Sequence, residues 1–223
     1  MLLASPAMAG LTVNSNGTVT TSGTGGGTIV VTLDGITGGP TLIQGLTGQL
    51  TLTFTSVTNS GTTYNFFYSL FDSSTAPITG SRISSFGFDT DPNVTGGSVT
   101  GAFDVLQLDK NYPIIPDPDV CVFDPNGPGG VCTGSGGGIL QGQTGSGTLS
   151  LNFATAPGSI TLSNFVDRYQ SITGAGNVTS AVGQQTTVRL LPEPATWAMM
   201  LLGFAGIGVA VRRSRKVLVN HIA

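Results

Sequence analysis

The chain has 223 residues, of which 34 are Gly and 9% are charged, and its formal net charge at pH 7 is −3. Because 39% of the residues are apolar, too many for a disordered linker, we expect one folded domain with terminal extensions. The acidic balance argues against a phosphate-backbone partner, so we expect no binding to nucleic acid. Residues 10–192 contain neither His nor Glu, which removes most acid–base chemistry, and we expect no catalytic residues and no enzyme activity.

Residues 1–9 form a short apolar run that ends in Ala7-Met8-Ala9, directly before Gly10. Small residues three and one positions before a cleavage point are typical of a secretory signal peptide. The run has no basic n-region, so we interpret it as the remnant of a signal peptide whose start codon is assigned too late. An apolar N-terminal strand is the alternative. The prediction is an exported chain that signal peptidase cleaves before Gly10.

Residues 10–191 alternate apolar and polar side chains in short runs, which is typical of β-strands. Turn-forming Gly, Pro, Asn and Asp residues separate the runs. The pattern predicts an all-β domain: a two-sheet β-sandwich or jelly roll of about nine short strands, with an open barrel or a β-solenoid as alternatives. The predicted strands are Leu11–Val13, Thr28–Leu33, Leu50–Phe54, Thr63–Phe71, Arg82–Phe88, Val99–Leu106, Leu149–Phe153, Ser159–Tyr169 and Thr186–Leu191.

Asp89, Asp91 and Asn93 place oxygen ligands at alternate positions, as at the start of a calcium-binding loop. The sixth position is Val94 rather than Gly and the twelfth is Thr100 rather than Glu, which excludes an EF-hand. A weak structural calcium site in an acidic loop remains the prediction. We expect no other metal and no other cofactor.

Cys121 and Cys132 bracket ten residues that are rich in turn formers. In an exported chain such a pair is expected to be oxidised, and closing this small ring contributes about 3 kcal/mol in the chain-entropy model. Zinc would need two further Cys or His ligands, which residues 10–192 do not contain. The sequence therefore predicts a disulfide.

Farther along, Asp167 and Arg168 lie in a predicted strand, where we expect a cross-strand salt bridge.

Four aromatic residues are the candidates for a sugar-binding face: Tyr64, Phe66, Tyr68 and Tyr112. Such a face requires several aromatic rings to be exposed together, whereas core packing is the ordinary role for Phe66 and surface exposure for Tyr112. A flat aromatic platform would favour a carbohydrate-binding module. A surface covered by Thr would favour a structural protein.

Ala195–Val211 is a run of seventeen residues without a charge, and as a helix it would be about 25 Å long, near the lower limit for crossing a bilayer. Trp197 lies near its start, and a basic cluster follows its end. This order predicts one transmembrane helix whose C-terminal end stays in the cytoplasm. A buried core helix is the alternative. The stop-transfer cluster comprises Arg212, Arg213, Arg215 and Lys216.

The segment before the span reads Pro192-Glu193-Pro194-Ala195-Thr196-Trp197-Ala198. Together with the span and the basic cluster, it resembles the C-terminal sorting signal of PEP-CTERM proteins, in the PEPxxWA variant. The two Pro residues keep the chain extended, as a protease cleft requires, and Glu193 offers a carboxylate to a cationic pocket. The resemblance implies that the chain is a substrate of exosortase, a membrane cysteine transpeptidase-like enzyme of Gram-negative bacteria that make extracellular polysaccharide. A Pro-rich spacer before a permanent anchor is the alternative.

The stretch from Phe103 to Ile172 is similar to a central region of one group of PEP-CTERM proteins, the cistern family, and this resemblance implies no activity. The expected organisation is a signal-peptide remnant (1–9), a secreted β-domain (10–191), the sorting signal (192–216) and a short tail (217–223). We expect a noncatalytic exported protein of the cell surface or extracellular matrix, with an inner-membrane precursor that exosortase processes. A module that binds carbohydrate, such as exopolysaccharide, is the alternative.

Overall fold

The structure is a computed structural model that describes residues 10–38, 41–110, 112, 117–125, 132, 137–191 and 204. These residues form an all-β fold of thirteen strands, as the alternating pattern predicts, with one short 3-10 turn at Asn59–Gly61. The strands are β1 (Leu11–Val13), β2 (Val19–Thr21), β3 (Thr28–Ile36), β4 (Leu42–Thr58), β5 (Thr63–Asp72), β6 (Gly80–Asp91), β7 (Gly96–Gly101), β8 (Val105–Leu108), β9 (Val120–Phe123), β10 (Ile139–Leu140), β11 (Thr144–Asn152), β12 (Thr161–Thr173) and β13 (Ser180–Leu191).

A single hydrogen-bonded sheet contains all thirteen strands. Its main path runs β7-β11-β5-β4-β3-β13-β12-β6-β9-β8, while β10 pairs with β6 and the β1–β2 hairpin joins β12 through β2. Only residues 102–104 connect β7 to β8, which are the two ends of this path. The sheet therefore curls until its ends approach each other, and one of its faces encloses the core.

The curled sheet corrects the prediction of about nine short strands in two sheets. β4 alone is 17 residues long, and register shifts interrupt its pairing with β5 and the pairing of β3 with β4. Such bulges bend a strand, so one continuous sheet can provide both layers around the core. Among the predicted architectures, the open barrel is the nearest to the structure.

The inner face of the sheet carries an apolar and aromatic core. Leu50, Leu52 and Phe54 of β4 are at most 1% exposed, as their alternation with Thr predicts. The rings of Tyr68 in β5 and Phe86 in β6 lie 5.3 Å apart between centroids, which joins two strands that are distant along the sheet. Burial of apolar surface at about 25 cal/mol per Å² is the main force that holds this curled sheet closed.

A second, smaller core lies on the other face of the sheet. Strand β6 is buried at every position from Ile83 to Phe88, so both of its faces are covered there. Tyr112, from the segment before β9, and Cys132, from the segment after it, contribute to this cover. We call this cluster the outer core; its members are Ile36, Tyr112, Cys121, Phe123, Cys132, Val166 and Val182.

The last strand, β13, lies in the middle of the sheet between β3 and β12. It pairs with β12 from Ser180, opposite Gln170, to Gln184, opposite Val166. β13 ends at Leu191, so the segment that begins with Pro192 follows a central strand directly along the chain.

Candidate functional site

The predicted disulfide between Cys121 and Cys132 is present, with the two Cα atoms 6.0 Å apart. Both Cys residues are buried in the outer core, where the bond ties β9 to the segment that follows it. Ser85 of β6 donates its hydroxyl to the Cys132 carbonyl oxygen at 2.9 Å. The disulfide thereby anchors the cover of the outer core to strand β6.

The four aromatic candidates for a sugar-binding face are all buried, at 4% exposure or less. The core role of Phe66 is confirmed, but the predicted exposure of Tyr112 is wrong, because Tyr112 packs in the outer core. Its hydroxyl forms a hydrogen bond with Ser85 Oγ at 3.0 Å, and burial raises the pKa of Tyr112 above its usual value. These four side chains therefore form no exposed platform.

The predicted calcium ligands lie at the end of β6 and in the loop that follows it. Asp89 accepts hydrogen bonds from Asn164 Nδ2 at 2.6 Å and from the Asp119 backbone at 3.3 Å. Asp91 is the last residue of the strand, and both Asp91 and Asn93 are exposed. The described part of the chain holds no group of three or more His, Cys, Asp or Glu residues arranged for a metal ion. The calcium site stays a prediction.

Asp167 is a fully buried carboxyl on β12, and among the described residues it does not form the predicted cross-strand salt bridge. The Tyr169 hydroxyl and the Gly183 backbone lie beside its carboxyl oxygens, whereas Arg168 donates to Ser180 Oγ at 3.2 Å. A Cβ atom at Gly48 or Gly183 would collide with the carboxyl, so these glycines make room for it. Burial raises the pKa of Asp167 well above its usual range, which indicates a neutral, protonated carboxyl.

The outer face of β3, β4, β5, β11 and β7 carries rows of hydroxyl side chains. One transverse row runs in register through Thr28, Thr53, Phe67, Thr148 and Thr100. The hydroxyl oxygens of Thr28 and Thr53 are 2.9 Å apart, and those of Thr100 and Thr148 are 2.7 Å apart. Phe67, 42% exposed, is the one aromatic ring in this row. We call this surface the threonine face.

A cleft of about 310 Å³ opens where β12 changes its partner strand. Along one edge, β12 pairs with β2 at residues 161–162 and with β13 from Val166 onward. Residues 163–165 lie between these two pairings, and the turn between β1 and β2 faces them across the gap. The cleft is therefore a gap in the sheet between the ends of two strands.

A β-bulge in β12 shapes the floor of this cleft. Ser163 pairs with Asp89 and Val166 with Gly87, so Asn164 and Phe165 together oppose a single residue of β6. Asn164 adopts a left-handed φ of 51°, a conformation that Asn tolerates better than most residues do. As a result, the Phe165 ring is buried in the core, while Asn164 is exposed beside the cleft.

The Gln185 side chain connects three of the elements that surround the cleft, namely β13, β12 and the β1–β2 turn. Its Oε1 accepts a hydrogen bond from the Phe165 backbone N–H at 3.4 Å, and its Nε2 donates to the Gly17 carbonyl oxygen at 2.9 Å. One amide therefore satisfies backbone groups on β12 and on the β1–β2 turn. No sequence motif marks the cleft, because its residues come from four separate parts of the chain.

The predicted cleavage and sorting residues lie mostly outside the described residues. Gly10 is described and buried, and its carbonyl oxygen accepts a hydrogen bond from the Ser22 backbone N–H at 2.8 Å. Within the described residues, no helix has the length and apolar character needed to cross a membrane. The residues outside are Ala7, Ala9, Pro192, Glu193, Pro194, Trp197, Ala198, Arg212, Arg213, Arg215 and Lys216, together with the predicted span except for Phe204.

Comparison with known proteins identifies the segment that follows the β-domain. Residues 191–216 match the family model described as the PEP-CTERM protein-sorting motif. A C-terminal motif of this kind is typical of exported proteins that carry a sorting signal. The chain carries a PEP-CTERM sorting motif, and this motif implies export and sorting by exosortase at the membrane. No curated protein matches the chain. The resemblance of residues 103–172 to the cistern family stays a prediction.

Proposed function

We propose that the chain is a noncatalytic structural protein of the cell surface or extracellular matrix in a Gram-negative bacterium. Signal peptidase removes the N-terminal signal before Gly10, and exosortase processes the inner-membrane precursor at its C-terminal signal. The observation that carries this proposal is the match of residues 191–216 to the PEP-CTERM motif. The β-domain is then the part that is exported, and the C-terminal segment is the signal that directs its sorting.

The surface of the β-domain supports a structural role. The hydroxyl rows of the threonine face offer hydrogen bonds to hydrated polymers without adding charge, and 9% of the residues in the chain are charged. The disulfide would persist outside the cell, where thiols oxidise. Such a surface suits a protein that remains in a matrix of polysaccharide and water.

Carbohydrate binding through an aromatic platform has no support from the four predicted aromatic residues. Tyr64, Phe66, Tyr68 and Tyr112 would each have to leave the interior before a sugar ring could stack on them. A sugar-binding role for this domain therefore requires a different set of residues.

The sorting proposal is tested by changing the motif in a host that contains exosortase. We expect Glu193→Ala and Pro194→Ala to leave a precursor that keeps its span, because the extended and negatively charged segment is no longer recognised. Thr196→Ala, at an unspecified position of PEPxxWA, is the matched control and should mature normally. Gel mobility and membrane fractionation report the size and location of the product.

The basic cluster should produce a different defect in the same assay. Neutralising Arg212, Arg213, Arg215 and Lys216 together removes the orientation and stop-transfer signal, so we expect altered topology or release of full-length chain. Maturation of every variant like the wild type would contradict the sorting proposal. Retention of the span by wild-type protein at its final location would contradict it equally.

A further inference from the structure

The cleft between β2 and β13 has the construction of a small ligand site. Its volume of about 310 Å³ falls at the lower end of the range of about 300–1,000 Å³ for small-molecule pockets. Side chains from the β1–β2 turn, from β6, from β12 and from β13 converge on it. The bulge and the left-handed Asn164 that shape it are features that often occur beside functional sites.

The chemistry of the lining indicates an uncharged ligand rich in hydroxyl groups. Asn16, Asn164 and Gln184 contribute side-chain amides, each with both donors and acceptors, as a sugar ring requires. Ser163 adds a hydroxyl group of the same dual character, whereas the Thr18 hydroxyl accepts from Asn14 Nδ2 and donates to Asn16 Oδ1, which orients the Asn16 amide. Among the described lining residues there is no Lys, Arg or His, so the cleft offers no cation to a phosphate or a carboxylate.

Two of these amide side chains are available to a ligand. Gln184 is exposed, and no described residue forms a hydrogen bond with its side-chain amide. Asn164 donates through Nδ2 to Asp89 Oδ2, which orients its side chain beside the cleft. Asp89 is half-buried and supplies a carboxylate acceptor at the same rim. The lining thus combines an oriented amide with a free one.

An added peptide strand is a poorer occupant than a sugar. Only residues 163–165 of β12 lie between its two partner strands, a gap too short for a strand of ordinary length. Gln185 already occupies the Phe165 N–H and the Gly17 carbonyl, which are backbone groups that an added strand would use. Recognition in this cleft is therefore left to side chains.

We propose that this cleft binds a neutral saccharide of one or two rings, with Asn16, Asn164 and Gln184 as the principal hydrogen-bonding residues. The site is independent of the buried aromatic residues and of exosortase processing. It would let an exported surface protein hold the end or a branch of an uncharged polysaccharide.

Titration of the full-length chain with neutral disaccharides tests this proposal. The protein is kept in a zwitterionic detergent, because a detergent with a sugar headgroup would compete for the cleft. The probes are disaccharides of differing linkage, such as maltose, cellobiose and lactose, with digalacturonate as the anionic comparison. Calorimetry and the side-chain amide signals of ¹⁵N-labelled protein report binding. We expect saturable binding of at least one neutral sugar and weaker binding of digalacturonate.

Two variants connect the binding to the cleft. Gln184→Ala removes an exposed amide, and Asn164→Gly removes a side chain while keeping a residue that tolerates positive φ. We expect each to weaken the affinity by about three- to tenfold, the equivalent of one lost hydrogen bond. Gln143→Ala, which removes an exposed Gln outside the cleft, is the matched control and should bind like the wild type. Melting curves confirm that the variants are folded.

Several results would overturn the proposal. One is the absence of saturable binding across the neutral set, and another is a preference for digalacturonate. Equal affinity of the wild type, Gln184→Ala and Asn164→Gly would show that any sugar binds elsewhere. Saturable binding of an extended Thr-Val hexapeptide in place of sugars would identify the cleft as a strand-docking site instead.

Discussion

Within the part of the chain that the structure describes, the outer face of the sheet is covered on one half and uncovered on the other. Over β6, β9, β12 and β13, Tyr112 and the Cys121–Cys132 disulfide lie on top of the sheet and form the outer core. Over β4, β5, β7 and β11, the same face carries the Thr and Ser side chains of the threonine face. One continuous sheet therefore supports two kinds of surface.

The difference is visible in the residue pattern of individual strands. β11 alternates buried Leu149 and Leu151 with polar residues, because only one of its faces meets a core. β9 consists of Val-Cys-Val-Phe and is buried at all four positions, because both of its faces are covered. Alternation of buried and polar residues is therefore typical of strands in the uncovered half of the sheet. Strands in the covered half are buried at successive positions instead.

Of the substitutions that test this difference between the two halves, removal of the disulfide should lower the stability of the covered half most. We expect replacement of both Cys121 and Cys132 by Ala to lower the free energy of unfolding by about 3 kcal/mol, because the unfolded chain regains the entropy of an open loop. Denaturant unfolding of the wild type and the variant measures the difference. A loss below about 1 kcal/mol would show that apolar packing alone holds the cover in place.

Asp167→Asn should have an intermediate effect that depends on pH. Burial raises the folded-state pKa of Asp167, so the folded chain binds this proton more tightly than the unfolded chain does. The stability contributed by this group is full below the unfolded pKa of about 4 and is lost as the pH rises toward the folded value. We therefore expect the wild type to lose about 1–3 kcal/mol more than Asp167→Asn between about pH 4 and pH 7.

Unfolding by denaturant at a series of pH values measures the Asp167 effect. Asp91→Asn makes the same chemical change at an exposed position of β6 and serves as the control. Parallel pH profiles for the wild type and Asp167→Asn would mean that water reaches this carboxyl despite the cover on β12.

Thr148→Val should have the smallest effect. The substitution removes the hydroxyl pair with Thr100 from an exposed position but keeps a β-branched side chain, so we expect a stability change within about 0.5 kcal/mol. Thermal unfolding in parallel with the wild type checks this. A loss above about 1 kcal/mol would indicate that the threonine face is a stabilising network and not only a surface.

Local pattern predicts the parts of this protein that local chemistry determines. The strand Leu50–Phe54 lies within β4, the Cys pair is bonded, and the motif at Pro192–Ala198 belongs to a recognised sorting signal. Each of these features depends on a few neighbouring residues or, for the Cys pair, on one short loop.

Features that depend on distant pairing could not be predicted in the same way. The burial of Tyr112 depends on β6, β12 and β13 meeting beneath it, and no nearby residue signals that arrangement. The cleft arises because β2 and β13 share one edge of β12, although they are far apart along the chain. Bulges such as the one at Asn164 follow from strand curvature, which a period-two pattern does not encode.

The central position of β13 also sets the order of events as the chain folds. β13 is the last of the described strands to be synthesised, yet it separates β3 from β12, and its Thr187 forms a hydrogen bond with Thr32, 155 residues away in sequence. Until β13 has arrived, the sheet has a break in its middle with two open strand edges. Completion of the fold is therefore delayed until the whole domain has left the ribosome, and contacts of such long range form slowly. A chain that stays open this long is well suited to being threaded through an export channel before it folds.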